Sequence, residues 1–190
     1  MWATTLLNHP EPALQWGVVL ATSSLAAGWD LGCRRIPNLL TGAVWIAGLG
    51  TSLALAGLPG LADAVLGCCL LAAPYVLLWA FAGGGAGDAK MMGAVGAWMG
   101  IVLGVLCLVA VSLAGVLLAM ACAARAGRLR AVLSSVSSAA KGVLVPVFGA
   151  GSAADVRAVM PPVRGAQTFP YGVAILVGNV AAAGVVFLWS

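Results

Sequence analysis

Between residues 89 and 124 the chain holds one charged side chain, Lys90, in about 36 positions. As a single straight helix this stretch would measure about 54 Å at about 1.5 Å per residue. That is too long for one crossing of a hydrocarbon core about 30 Å thick. It is also far too apolar to be covered by the rest of a small soluble domain. The whole chain of 190 residues is 63% apolar and 7% charged, whereas soluble domains carry about 25% charged residues. These features predict an all-α polytopic membrane protein forming one domain, residues 1–190. The alternating ten-residue strands of a membrane β-barrel are absent from the sequence.

Apolar runs of crossing length place six transmembrane helices near residues 14–32, 39–58, 61–82, 89–100, 102–124 and 171–189. The fourth depends on a tight turn near Gly100, which resolves the length problem of the 89–124 stretch. The distribution of charge supports the count. With the loop after the first span placed inside, Arg34, Arg35, Lys90, Arg125, Arg128, Arg130, Lys141, Arg157 and Arg164 all fall on the inner side. Merging spans four and five would split them across the membrane. The positive-inside rule therefore predicts six crossings with both termini outside.

The net charge of +4 reports this topology and is no nucleic-acid footprint. In the long inner loop, 125–170, Leu129, Val132, Leu133, Val136, Ala140, Val143 and Leu144 fall on one helical face. Arg130, Ser134, Ser138 and Lys141 fall on the other. This pattern predicts an amphipathic helix lying on the inner membrane surface and ended by Pro146. Residues 1–13 contain no Lys or Arg, so the first apolar run lacks the basic region of a signal peptide and reads as a retained helix.

Cys33, Cys68, Cys69, Cys107 and Cys122 show no CxxC spacing, and His9 is the only histidine. Neither arrangement suits a metal site, and no cofactor is expected. Gly28/Gly32 and Gly100/Gly104 have the four-residue spacing that permits close helix packing.

Of five acidic residues, Glu11, Asp63 and Asp155 fall in or beside loops and read as solvated. Asp30 and Asp88 lie at the inner ends of apolar spans. There a carboxylate costs up to about 2.5–3.5 kcal/mol at mid-bilayer and marks a functional site by default. The topology puts both at one depth. Two carboxylates sharing one water form the minimal aspartyl protease. Like charges at close range keep one protonated while the other ionises. The ionised group takes a proton from water, and the neutral acid hydrogen-bonds the scissile carbonyl. Gly83, Gly84, Gly85 and Gly87 leave the backbone before Asp88 open to an extended peptide, and this glycine segment is expected to be mobile without substrate. The structural alternatives are an interfacial pair of Asp30 with Arg34 and a helix N-cap for Asp88. A proton relay in a non-enzymatic transport or secretion subunit is the functional alternative.

The segment W-D-L-G-C-R-R-I-P-N-L-L-T (29–41) resembles the first active-site region of the type IV prepilin peptidases. G-A-G-D-A-K (85–90) resembles their GxGD signature, and G-A-W-M-G (96–100) and F-P-Y-G (169–172) resemble further landmarks in the same order. The resemblance covers roughly residues 14–189. It implies Asp30 and Asp88 as the catalytic pair of an aspartic endopeptidase, and prepilins cut at the cytoplasmic face of the bacterial inner membrane. Gly85 and Gly87 would shape the second site. Arg34 and Lys90 would contact substrate or lipid, beside the Pro37–Asn38 turn. The cysteine-paired N-terminal extension of the long members is missing, so the chain resembles the short variant of tight-adherence (Flp-type) pili, without N-methyltransferase activity. Presenilin-type GxGD proteases pair this motif with Tyr-Asp, which does not occur here.

Overall fold

The computed structural model describes residues 12–33, 37–82, 85–127 and 171–188. They form four helices: α1 (Pro12–Cys33), α2 (Asn38–Ala82), α3 (Ala86–Arg125) and α4 (Tyr171–Leu188). Three of them, α2, α3 and α4, are long and apolar enough to cross a membrane. The expected inner-surface helix near 129–144 lies outside the described residues, as do the termini and most of the basic residues.

Six separate helices are therefore not what forms. The second and third expected spans are joined in α2, and the fourth and fifth in α3. The physical reason is that one glycine suffices to break each helix without a loop. Gly57 (φ 64°, ψ −152°) and Gly100 (φ 62°, ψ −162°) adopt a backbone conformation essentially reserved for glycine. Pro59 follows Gly57 at the start of the next helical turn, where its missing N–H costs nothing. The helix α1, though 22 residues long, does not join the three apolar helices. Gln15, Thr22, Ser23, Ser24 and Asp30 interrupt its hydropathy, and four of these, Ser24 excepted, are buried in the protein.

Both broken helices fold back. Tyr171 lies against Gly115, its Oη 2.7 Å from where a Cβ would stand, and it lines the same cleft as Asp88. A straight α3 would hold Asp88 and Gly115 about 40 Å apart. The same logic applies to α2, whose Leu78 reaches that cleft while Asn38 accepts a hydrogen bond from Lys90 at 2.9 Å.

The two hairpins cross at glycines. A Cβ on Gly67 would stand 2.6 Å from the carbonyl carbon of Gly100 and from the carbonyl oxygen of Gly96. Two tryptophans lock the first arm of α2 to the same first arm of α3. Trp98 lies on Gly48 and donates from Nε1 to the Val44 carbonyl at 2.9 Å, while Trp45 lies on Gly93. Of the two glycine pairs singled out by spacing, Gly100/Gly104 is packed, the latter against Leu71. Gly28 and Gly32 face open space.

Asp63 differs from the expectation of a solvated loop residue. It is half-buried within α2, and its Oδ1 accepts the Ile101 N–H at 3.3 Å. That amide has lost its intrahelical partner at the Gly100 break, so Asp63 caps the second arm of α3. The interior is more polar than the outside: Gln15 donates to the Trp98 carbonyl at 2.9 Å, and Asn179 to Ser23 at 3.0 Å, both buried. Leu39, Ile46, Leu58 and Leu188 are among the most exposed residues. This polarity suits a lipid surround, in which buried polar groups must satisfy one another.

Alanine at Gly100 is expected to cost about 1–3 kcal/mol through forced backbone strain, read by unfolding in mixed detergent micelles. Alanine at Gly50, which faces open space, is expected to be neutral or stabilising by up to about 1 kcal/mol.

Candidate active site

Asp88 owes its place to the start of α3. Gly85 is the extended N-cap, at φ −76° and ψ 121°, and its carbonyl accepts the Asp88 N–H at 3.2 Å. Asp88 thus lies in the first helical turn rather than at the cap position, where free N–H groups favour a carboxylate. Its Oδ2 folds back to 2.6 Å from where a Gly85 Cβ would be. Any side chain at Gly85 would displace the acid. Gly87 and Asp88 are half-buried, and Gly85 is exposed.

Asp30 is buried near the end of α1. Its Oδ2 accepts the backbone N–H of Gly172 at 2.8 Å, one of the unpartnered amides that open α4. Gly172 permits this approach, since a Cβ there would stand 3.0 Å from the Asp30 Cβ and 3.1 Å from Oδ2. The carboxyl groups of Asp30 and Asp88 lie close enough to interact electrostatically. The two acids expected to meet are therefore brought to one end of the fold.

The remaining expected site residues are less unified. Lys90 is tied to Asn38 and so clips the second turn of α3 to the first turn of α2. Pro37 and Asn38 serve that first turn of α2, their carbonyls accepting Thr41 N–H at 3.3 Å and Thr41 Oγ1 at 3.1 Å. Arg34 lies outside the described residues, as do Gly83 and Gly84, so the expected Arg34 contact and the first two residues of the expected mobile glycine segment lie there too. Among the described residues, no three His, Cys, Asp or Glu side chains gather to hold a metal ion.

A cleft of about 100 Å³ opens beside Asp88, lined by Tyr75, Leu78, Gly85, Asp88 and Tyr171. It has room for water. Reasoning from the sequence singled out neither Tyr75 nor a role for Tyr171. The signal was present, because the chain has only two tyrosines and they meet here. Their hydroxyls are 3.3 Å apart, and their rings meet edge to face with centroids 5.7 Å apart.

The type IV leader peptidase family model matches residues 17–120, a range that takes in both aspartates and more than half of the chain. No curated protein and no solved structure matches.

The two acids are expected to differ in their contribution to stability. Asp30→Ala removes a buried hydrogen bond and leaves the Gly172 amide without its acceptor, and is expected to cost about 1–3 kcal/mol. Asp88→Ala, at a half-buried position beside an open cleft, is expected to stay within about 0.5 kcal/mol. Detergent unfolding followed by circular dichroism measures both.

Proposed function

The chain belongs to the type IV leader peptidase family, and from that premise we propose that it is an intramembrane aspartyl endopeptidase with Asp30 and Asp88 as its catalytic pair. The observation that carries this reading is the arrangement of the acids. Asp88 faces a water-sized cleft, and Asp30, within reach of its charge, is anchored on the opening turn of α4.

In the proposed reaction one carboxyl is ionised and the other protonated. The ionised group takes a proton from a water molecule, whose oxygen bonds to the scissile carbonyl carbon. The carbonyl electron pair moves onto its oxygen, which the protonated acid hydrogen-bonds. Collapse of this tetrahedral species breaks the C–N bond, and the leaving nitrogen takes up a proton. One water is consumed, giving a new carboxyl and a new amino terminus.

The substrates in this reading are prepilins, in which a short basic leader precedes an apolar helix. They are cut at the cytoplasmic face of the bacterial inner membrane. The positions of the basic residues in the sequence support that orientation. The fold-backs at Gly57 and Gly100, with α1 and α4, support six crossings within one domain and both termini outside. Lys90, Asn38, Pro37, Gly85 and Gly87 would frame the approach of the leader, with Arg34 and anionic lipid headgroups beside it.

Co-expression of a tagged prepilin with Asp30→Asn or Asp88→Asn is expected to leave the precursor uncut, at membrane levels equal to wild type. The readout is a mobility shift on a gel. Processing that survives either substitution would remove that residue from the catalytic pair. For the topology, alkaline phosphatase fused after Ser190 is expected to be active and green fluorescent protein fused there dark; bright fluorescence would overturn the outside C-terminus.

A further inference from the structure

The cleft beside Asp88 contains a polar feature that the two-acid reaction leaves unused. Tyr75 is 6% exposed in an otherwise apolar stretch of α2, and its hydroxyl shares a hydrogen bond with that of Tyr171 at 3.3 Å. Both tyrosines line the cleft, so the pair forms part of the wall beside Asp88. Each hydroxyl has one proton to donate. Two protons serve the one bond, so one hydroxyl proton remains free. Both tyrosines lie within range of the Asp88 charge. With Tyr75 donating to Tyr171 the pair is polarised, an effect that strengthens in a medium of low dielectric. The free proton then belongs to the Tyr171 hydroxyl, on the residue that lines the cleft and adjoins the Gly172 amide bound to Asp30.

The position of that hydroxyl is built rather than incidental. Gly115 forms the notch that receives the ring, where a Cβ would lie 2.7 Å from Oη and 2.9 Å from Cε2. Tyr75 holds the ring edge to face. The next residue, Gly172, donates its N–H to Asp30. One dipeptide at the start of α4 therefore reaches the surroundings of both acids. Tyr171 lies beyond residues 17–120, so the family match says nothing about it.

We propose that Tyr171 is a third catalytic residue, its hydroxyl donating a hydrogen bond to the oxygen of the scissile carbonyl as that oxygen becomes an oxyanion. This rests on the aspartyl peptidase reading. An oxyanion accepts more than one donor, so the protonated acid and Tyr171 occupy different lone pairs. A preorganised donor in a water-poor site acts on the transition state far more than on the bound substrate.

The test uses the full-length protein in detergent micelles. The probe is a synthetic peptide with a basic leader followed by about 20 apolar residues. Tyr171→Phe keeps the ring in the Gly115 notch and removes only the hydroxyl. The expected result is a kcat lower by about 100-fold, the scale for loss of one oxyanion donor. KM and the thermal midpoint should be unchanged, and the shape of the pH–rate profile retained. Tyr75→Phe leaves the Tyr171 proton in place and is expected to lower kcat by about 3–10-fold, the loss of one polarising partner. It serves as the second reading should Tyr171→Phe fail to fold. A kcat for Tyr171→Phe within about 3-fold of wild type, less than 1 kcal/mol, would overturn the proposal. A shifted limb of the pH profile with an unchanged maximal rate would also overturn it, by making Tyr171 a positioning residue for Asp88. If the wild type cuts nothing while correctly inserted, the peptidase reading falls and this one with it. Cleavage by the wild type matched by Tyr171→Phe overturns this proposal alone.

Discussion

The close passage of Gly67 over Gly96 and Gly100 is the constraint on which the rest of the fold depends. Where α2 and α3 cross, carbonyl groups approach within 2.6–2.7 Å of the position a side chain would need. In a lipid surround no hydrophobic force presses helices together, so attraction must come from dispersion and backbone proximity. Removing side chains at the crossing brings the backbones close. The crossing also fixes the height of each arm, and thereby the level at which Asp88, Tyr75 and Leu78 meet. A shift of one turn, about 5.4 Å, would separate them.

The break at Gly100 is the second element of that arrangement. It reverses the chain within one residue and exposes the Ile101 amide, which Asp63 satisfies from the neighbouring hairpin. Asp63 thus does for the far end of the fold what Asp30 does for the near end. Both accept a backbone N–H at the opening of a helical arm. An unsatisfied amide at that depth would cost several kcal/mol, so each carboxylate secures a helix start in the bundle.

Much of this was legible in the sequence, for reasons that can be stated residue by residue. Length against bilayer thickness located the turn at Gly100, because 36 apolar residues cannot cross once. The span boundaries also put Asp30 and Asp88 at one end of the fold, where Asp30 meets Gly172 and Asp88 shares a cleft with Tyr171. Other features depend on contacts between elements far apart in the chain, which periodicity does not encode. Nothing in the spacing of Asp63 reveals that its partner amide would be freed at a glycine 37 residues away. The two tyrosines sit in apolar runs, and only the fold brings their hydroxyls together. Glycine spacing was ambiguous for a related reason. Gly28/Gly32 and Gly100/Gly104 look alike on paper, and only the second pair meets a neighbouring helix. The merging of expected spans into α2 and α3 shows that a tight break leaves the composition on either side untouched. Hydropathy alone cannot register it.

The bond from the Gly172 amide to Asp30 joins residues separated by 142 positions, the first described helix to the last. A chain emerging from the ribosome presents Asp30 long before its partner exists. Until α4 is inserted, the acid on α1 lacks its fixed donor and the cleft beside Asp88 lacks one wall. The order of synthesis therefore acts as an assembly check, in which the constellation closes only on a chain inserted through α4.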